Sequence, residues 1–382
     1  MSSVAATSKD RSAALDALHD DIERKHMFPF WAVNAGPGHD EVKRLMGAAP
    51  RAVPFLWSYT DVIEPLLVSA AKLVSTVESE RRSLIMVNPG LAPRRATVTT
   101  MYTAYRLNSP NEVMPPHRHS PSAIRFGLTG KHNFTGVEGE DMVFGPGDLV
   151  LTPQGTWHNH GCVGDDPAVN LSVLDLPLVE NLNAIFFEHD YKEAGVRKEK
   201  QSAKVAADYS ERIYGTGGYL PRFVRHDRSR QSSPMYCYRW EPLRELLEKH
   251  KDWDGDPYDA LSVEYVDPVN GGPIFKTMTF FAQMLRPGER TRAQRQTASL
   301  LVTPFEGGTE GGNAGHTLIG AKRYDWKNFD TLAVPAGEWY EHVNQSKTHP
   351  IVLFVASDEP ALRAFGLHQR WGRTAGGDVE RL

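Results

Sequence analysis

Four histidines stand in two His-x-His pairs, His117-Arg118-His119 and His158-Asn159-His160. Side chains alternate between the faces of a β-strand, so both members of a pair point the same way. Neutral imidazoles suit first-row metals such as Fe, Ni, Cu or Zn. The chain holds 15 histidines, so one pair alone is weak, and solvated or packed histidine is the plain alternative. The context of the second pair adds weight. Gly147-Asp148 precedes an apolar run, Leu149-Val150-Leu151, and Pro153-Gln154-Gly155 then leads to His158. A strand that enters a Pro-Gly turn and emerges at a histidine is how a small barrel sets one more ligand opposite a His-x-His strand. His158 and His160 share a face, so spacing leaves open which of them is the ligand. Cys162 lies on that face too and reads as a small buried residue.

Two arginines belong to the same pattern. Arg125 lies six residues past His119, on the same parity. A buried guanidinium needs a partner. A bidentate substrate carboxylate and an internal salt bridge are both open to it. Arg106 lies four residues after Tyr102, so on a regular strand both face one side. If that side is a barrel interior, a cation sits beside the pocket; the alternative is a surface or salt-bridged arginine.

The elements that position these residues are short. Helical spacing covers Ala13, Leu15, Leu18 and Ile22, and a second helical pattern covers 61–74. From about residue 84, runs such as TVTTMYTAYRL, SAIRFGLTG, DMVFGPGDLVLTP and AVNLSVLDLP alternate with Gly, Pro, Asn and Asp. That texture predicts an all-β barrel or sandwich. Charged and helical sequence fills 180–261, and short strands return over 262–372.

An internal repeat links the two β regions. PPHRHSPSA at 115–123 matches RAQRQTASL at 292–300, and TPQGTWHNH at 152–160 matches VPAGEWYEH at 334–342. The offsets are 177 residues (His117 to Gln294) and 182 (His158 to Tyr340). A period this long means duplicated domains, not a solenoid. The second copy carries Gln294, Gln296 and Tyr340 where the first has histidines. Amides and a phenol are poor ligands for such a metal, so this copy is expected to be metal-free.

Composition narrows the classes. The 382 residues are 40% hydrophobic and 24% charged, which sets aside a disordered chain. A net charge of −4 argues against a nucleic-acid binder. No apolar run approaches the ~18 residues of a membrane span. Two cysteines, Cys162 and Cys237, are too few for a disulfide framework. The opening MSSVAATSKDRSAALDALHDD lacks a basic region before an apolar core, so a cytoplasmic protein without a secretory signal is expected.

The histidine motifs resemble the cupin superfamily, and more closely the gentisate 1,2-dioxygenase-like family, which includes salicylate and 1-hydroxy-2-naphthoate dioxygenases. The matching residues are His117-Arg118-His119 with Ser122-Ala123-x-Arg125-Phe126, and Pro153 through Trp157-His158-Asn159-His160-Gly161. Arg81-Arg82, Asn88-Pro89, Leu174 through Val179, and Gly288 through Thr297 fit the same pattern. The resemblance covers roughly 80–370.

The resemblance implies a mainly β bicupin. The expected domains are an N-terminal helical region (1–88), a catalytic barrel (89–179), a helical linker (180–261), a metal-free barrel (262–372) and a tail (373–382). It implies one Fe(II) per chain on His117, His119 and His158, with His160 beside the substrate as donor or proton shuttle. Many cupins carry a Glu four to six residues after His-x-His; here those positions are Ala123, Ile124 and Arg125. The metal would keep its full charge and leave room for an ortho-hydroxy carboxylate and O2. Arg125 would clamp the carboxylate. Arg81 would reach the pocket as a second arginine, with Arg82 or a surface role as alternatives. Trp157, Phe126 and Leu128 would line the ring pocket or be ordinary core. Tyr102 and Arg106 stand where family members carry Trp and Gln, which puts gentisate itself in doubt. A homo-oligomer, a tetramer in the family, is expected, with no nucleic-acid or membrane partner. The competing readings are a cupin isomerase or quercetinase-like enzyme, whose sites usually keep the Glu, and a non-enzymatic bicupin, which tends to lose ligands in both barrels.

Overall fold

The computed structural model describes residues 8–27, 51–74, 82–189, 191–193, 196–198, 204–308 and 315–382. Met1–Arg51 and Ala52–Leu382 are separate compact units. In the first, a helix spans Ser8–Arg24, and its Leu15 and Leu18 are exposed. Among the described residues, all the β structure lies in the second unit.

Its N-terminal β region has a six-stranded antiparallel sheet. The order is Cys237–Tyr238, Leu149–Thr152, Ala123–Thr129, Ala168–Leu174, Tyr102–Asn108 and Ser83–Ile85. A three-stranded sheet of Glu140–Phe144, Asn133–Val137 and His158–Cys162 lies in the same region. A short pair, Arg118–His119 with Phe187–Glu188, carries the first histidine motif.

The C-terminal β region repeats the plan. One sheet runs Phe55–Trp57, Thr331–Val334, Leu300–Glu306, Ile351–Ser357, Thr279–Leu285 and Leu261–Glu264. The other runs Lys322–Trp326, Gly315–Ile319, Tyr340–Asn344, Gln294–Gln296, Arg370–Arg373 and Val379–Arg381. The expected mainly β architecture is present. Two outlying segments stitch it together: Phe55–Trp57 pairs with Thr331–Ala333, and Cys237–Tyr238 pairs with Leu149–Val150.

The two large sheets share one core. Phe126 stacks on Phe354 at 4.1 Å between ring centroids and 10° between planes, and meets Phe305 at 5.0 Å. Tyr105, Leu128, Leu149 and Val173 join the same cluster as Phe280, Leu301 and Val352. Sheets covered on both faces read as near-continuous apolar runs. Accordingly all seven residues of Ala168–Leu174, and all seven of Ile351–Ser357, are buried. Truncating an aromatic here would cost about 3–5 kcal/mol. The consequence for the site is support: the Ala123–Thr129 strand that presents Arg125 inward is held by Phe126 and Leu128 on its other face. Among the described residues, no helix is long and apolar enough to cross a membrane.

Candidate metal centre and substrate cavity

The two histidine motifs meet by backbone pairing. His117 and His158 are direct antiparallel partners, each N–H donating to the other's carbonyl at 2.9 Å. The turn before His158 is closed by Gly155, at φ +72°, whose N–H donates to the His119 carbonyl at 2.9 Å. Only glycine adopts that backbone readily. Gly161 allows a second close approach: a Cβ there would lie 2.0 Å from the Glu112 carbonyl oxygen. Thus the Pro-Gly turn and the glycine after His160 fix how the second motif faces the first.

All four histidines are buried. Ring centroids lie 4.3 Å apart for His117 and His158, 4.7 Å for His119 and His158, and 5.1 Å for His158 and His160. Ligand-capable nitrogens of His117, His158 and His160 fall within 4.8 Å of one another. This buried group can hold a metal. Its membership differs from the set the family resemblance implies, which has His119 in place of His160.

Hydrogen bonds separate the two candidates. A carbonyl only accepts, so His119 Nδ1 must donate to Pro121 O and His158 Nδ1 to Thr156 O, both at 2.8 Å. That tautomer directs the Nε2 lone pair outward for ligation. His160 is arranged differently. A guanidinium only donates, so His160 Nε2 accepts from Arg125 Nη2 at 3.0 Å. His160 Nδ1 then carries the proton and meets Thr135 Oγ1 at 3.1 Å. Burial, then Arg125 and the neighbouring histidines, hold the His160 pKa well below the ordinary value, so it is neutral.

A cavity of about 160 Å³ adjoins the cluster. His119, His160 and Arg125 reach it from the motif side, and Tyr102 and Arg106 from the Tyr102–Asn108 strand. Both arginines are buried, and among the described residues that line the cavity none is a carboxylate. Strand parity therefore places Tyr102, Arg106 and Arg125 correctly. It also explains residues that sequence reading missed. Ala104 lies between Tyr102 and Arg106 on the same face, and Ser172 pairs directly with both Arg125 and Ala104. Ser83 and Ile85 also line the cavity from their edge strand, and no local signal marked them. Phe187, equally unmarked, stacks on His117 at 5.5 Å and 11°.

Four residues whose role the sequence left open lie away from the cavity lining. Trp157 does not line the cavity; it precedes His158 on the opposite face, and Arg118 lies over its ring at 5.1 Å. Phe126 and Leu128 are on the far face of the Arg125 strand, in the core between the two sheets. Arg82 is engaged elsewhere, paired with Glu112 and bonded to Ser109 Oγ at 3.2 Å. Arg81 lies outside the described residues.

In the C-terminal region, Gln294 pairs with Tyr340 as His117 pairs with His158. The side chains there bond to one another. Gln296 Nε2 donates to Tyr340 Oη at 3.1 Å, and Gln294 Nε2 to Asp259 Oδ1 at 2.7 Å. Arg370 closes the network on Gln294 Oε1 at 2.7 Å and Asp259 Oδ2 at 2.6 Å.

Two double-sheet β regions, one with a buried histidine cluster, define a bicupin. The sequence profile of the cupin domain matches residues 108–174. The 5-aminosalicylate 1,2-dioxygenase of Comamonas sp. is 33% identical over 370 residues, covering 95% of this chain and 91% of that protein. Gentisate 1,2-dioxygenase 1 of Aquipseudomonas alcaligenes is 32% identical over 354 residues, covering 91% and 94%. The structure of salicylate 1,2-dioxygenase from Pseudoaminobacter salicylatoxidans with gentisate superposes with a TM-score of 0.80 at 26% identity, covering 94% of each chain. The chain belongs to this family of gentisate and salicylate 1,2-dioxygenases, and it is a dioxygenase.

Proposed function

We propose that this enzyme opens the ring of an aromatic ortho-hydroxy carboxylic acid of the gentisate, salicylate or 1-hydroxy-2-naphthoate class. Cleavage falls between the hydroxyl- and carboxyl-bearing carbons, and both atoms of O2 enter the product. The observation that carries this reading is the buried all-histidine cluster beside a cavity lined by Arg106 and Arg125. The metal is Fe(II), one per chain, on His117, His119 and His158. Three neutral imidazoles, two of them (His119 and His158) with carbonyl-anchored Nδ1–H groups, fit a divalent first-row ion. Bound iron would supply a Lewis-acidic centre that takes the substrate's phenolate and carboxylate oxygens as a chelate and draws ring electrons toward O2.

The chain's own residues do the rest. Arg125 turns its guanidinium from His160 to the substrate carboxylate, a charge-assisted pair. His160 Nε2 is then the neutral acceptor for the substrate hydroxyl proton, while Nδ1 stays on Thr135. Tyr102 and Arg106 meet the ring substituents. Arg106 favours an anionic or electron-rich substituent. We assign 89–179 to the catalytic cupin and 262–372 to a metal-free cupin, joined by 180–261 and flanked by 1–88 and 373–382. We also place the enzyme in the cytoplasm as a homo-oligomer, a tetramer by family resemblance.

The test is O2 uptake by anaerobically Fe(II)-loaded protein on a panel of substituted salicylates, gentisate and 1-hydroxy-2-naphthoate. A substituted salicylate is expected to have the highest kcat/KM. Arg106→Gln should move the kcat/KM ratio toward gentisate, since specificity is a difference in transition-state binding. No O2 uptake with any acid on the panel would defeat the reading.

A further inference from the structure

Among the described residues, the second barrel holds no histidine cluster like the first, yet a bond from it ends at the proposed metal-binding turn. Thr277 Oγ1, just before the Thr279–Leu285 strand, donates to Asp175 Oδ2 at 2.5 Å. Asp175 is buried at the end of the Ala168–Leu174 strand, and its Oδ1 accepts from the Ser122 N–H at 2.8 Å. The residue before Ser122 is Pro121, whose carbonyl anchors His119 Nδ1 at 2.8 Å. Four groups thus run in series from the second barrel to the His119 imidazole.

The fold contains its own control. Asp358 occupies the same place in the second barrel. Its Oδ1 accepts from the Ser299 N–H at 2.7 Å, and its Oδ2 from Thr100 Oγ1 of the first barrel at 2.5 Å. The two clasps are reciprocal, and each crosses between barrels. They differ only in what lies beyond the serine. Beyond Ser122 is His119; beyond Ser299 is Gln296, which bonds to Tyr340.

We propose that Thr277 and Asp175 are positioning residues through which the second barrel orients the His119 imidazole for metal binding. This rests on the reading of His119 as a ligand. The orientation of a ligand ring is set by the group its other nitrogen bonds, and such outer partners typically contribute 10–100-fold in metal affinity. Thr277 stands further out than a direct partner, so its removal should fall at the low end.

The experiment is titration of metal-free full-length protein with Fe(II) under anaerobic conditions, against a chromogenic chelator, with melting curves in parallel. Thr277→Val should raise the Kd for Fe(II) about 10-fold, and Thr277→Ser, which keeps the hydroxyl, should restore it. Thr100→Val breaks the matching clasp and should lower Tm comparably while leaving the Kd at the wild-type value. If Thr277→Val does not fold, Thr277→Ala, which introduces no bulk, takes its place. A wild-type Kd in the Thr277 variant overturns the proposal, and so does an equal rise in Thr100→Val. His119→Ala separates the two levels: a wild-type Kd there overturns the ligand assignment itself.

Discussion

The two barrels set the same backbone positions to opposite uses. At the paired positions, the first barrel has His117 facing His158 and the second has Gln294 facing Tyr340. The histidines bring ring nitrogens close enough together to hold a cation between them. In the second barrel Gln296 bonds to Tyr340, while Gln294 is satisfied by Asp259 and Arg370. The difference extends outward. Arg125 pairs with Val150 and Ser172; in the second barrel Val302 pairs with Leu332 and Val355. An inward guanidinium has become an aliphatic side chain. One element is unchanged: His160 meets Thr135, and His342 meets Thr317 at 2.8 Å. A buried histidine with a threonine partner is thus common to both barrels and does not depend on the other histidines.

The largest effect should come from breaking the histidine cluster. His158→Ala is expected to lose both metal and turnover to background, whereas Gln294→Ala should leave both intact. Elemental analysis of iron with O2 uptake checks this, and two irons per wild-type chain would end the one-site reading. Restoring the second barrel sharpens the contrast. Gln294→His, Gln296→His and Tyr340→His together should not bind metal, because Arg370 then directs its charge at the new imidazole. Adding Arg370→Ala should raise the iron content.

A second test uses acid. Burial holds the His342 pKa down at about 4, against 6.5 for the free side chain. The folded state therefore binds fewer protons than the unfolded state between those values. This contribution is present above pH 6.5 and is lost as pH falls through 4. The shift corresponds to about 3 kcal/mol. His342→Asn should remove that sensitivity, so the difference in unfolding free energy between variant and wild type should shrink on acidification. A constant difference from pH 7 to pH 4 would mean that His342 is not buried neutral.

Much of this contrast was legible in the chain itself. The repeat aligned Gln294 and Tyr340 with His117 and His158, and their pairing is as expected. Parity put Tyr102, Arg106 and Arg125 on one lining, because strand alternation is a local property. The same rule, applied one residue further, places Trp157 and Phe126 on the opposite faces. Their aromatic character had suggested a ring pocket, but it serves a cation–π contact in one case and the shared core in the other. Ser172 and Leu174 were hidden for a different reason. Nothing in AVNLSVL distinguishes them; they enter the cavity because that strand lies between the two arginine-bearing strands. The choice between His119 and His160 also needed geometry, since it turns on which ring nitrogen meets a carbonyl and which meets a guanidinium.

The smallest expected effect isolates Arg125, where the second barrel supplies the control residue. Arg125→Val installs what the equivalent position already tolerates, so folding should be retained. Valine there leaves His160 bonded to Thr135, as His342 is bonded to Thr317. Iron content should therefore stay at the wild-type level. Substrate capture should not. A charge-assisted hydrogen bond in a dry pocket contributes about 1.5–3 kcal/mol, or roughly 10–150-fold. That loss should appear in kcat/KM for the preferred acid, and as weaker binding under anaerobic conditions. It should be smaller for the methyl ester of the same acid, which offers no full charge to clamp. An equal loss for acid and ester would assign Arg125 to holding His160 in place instead of holding the substrate.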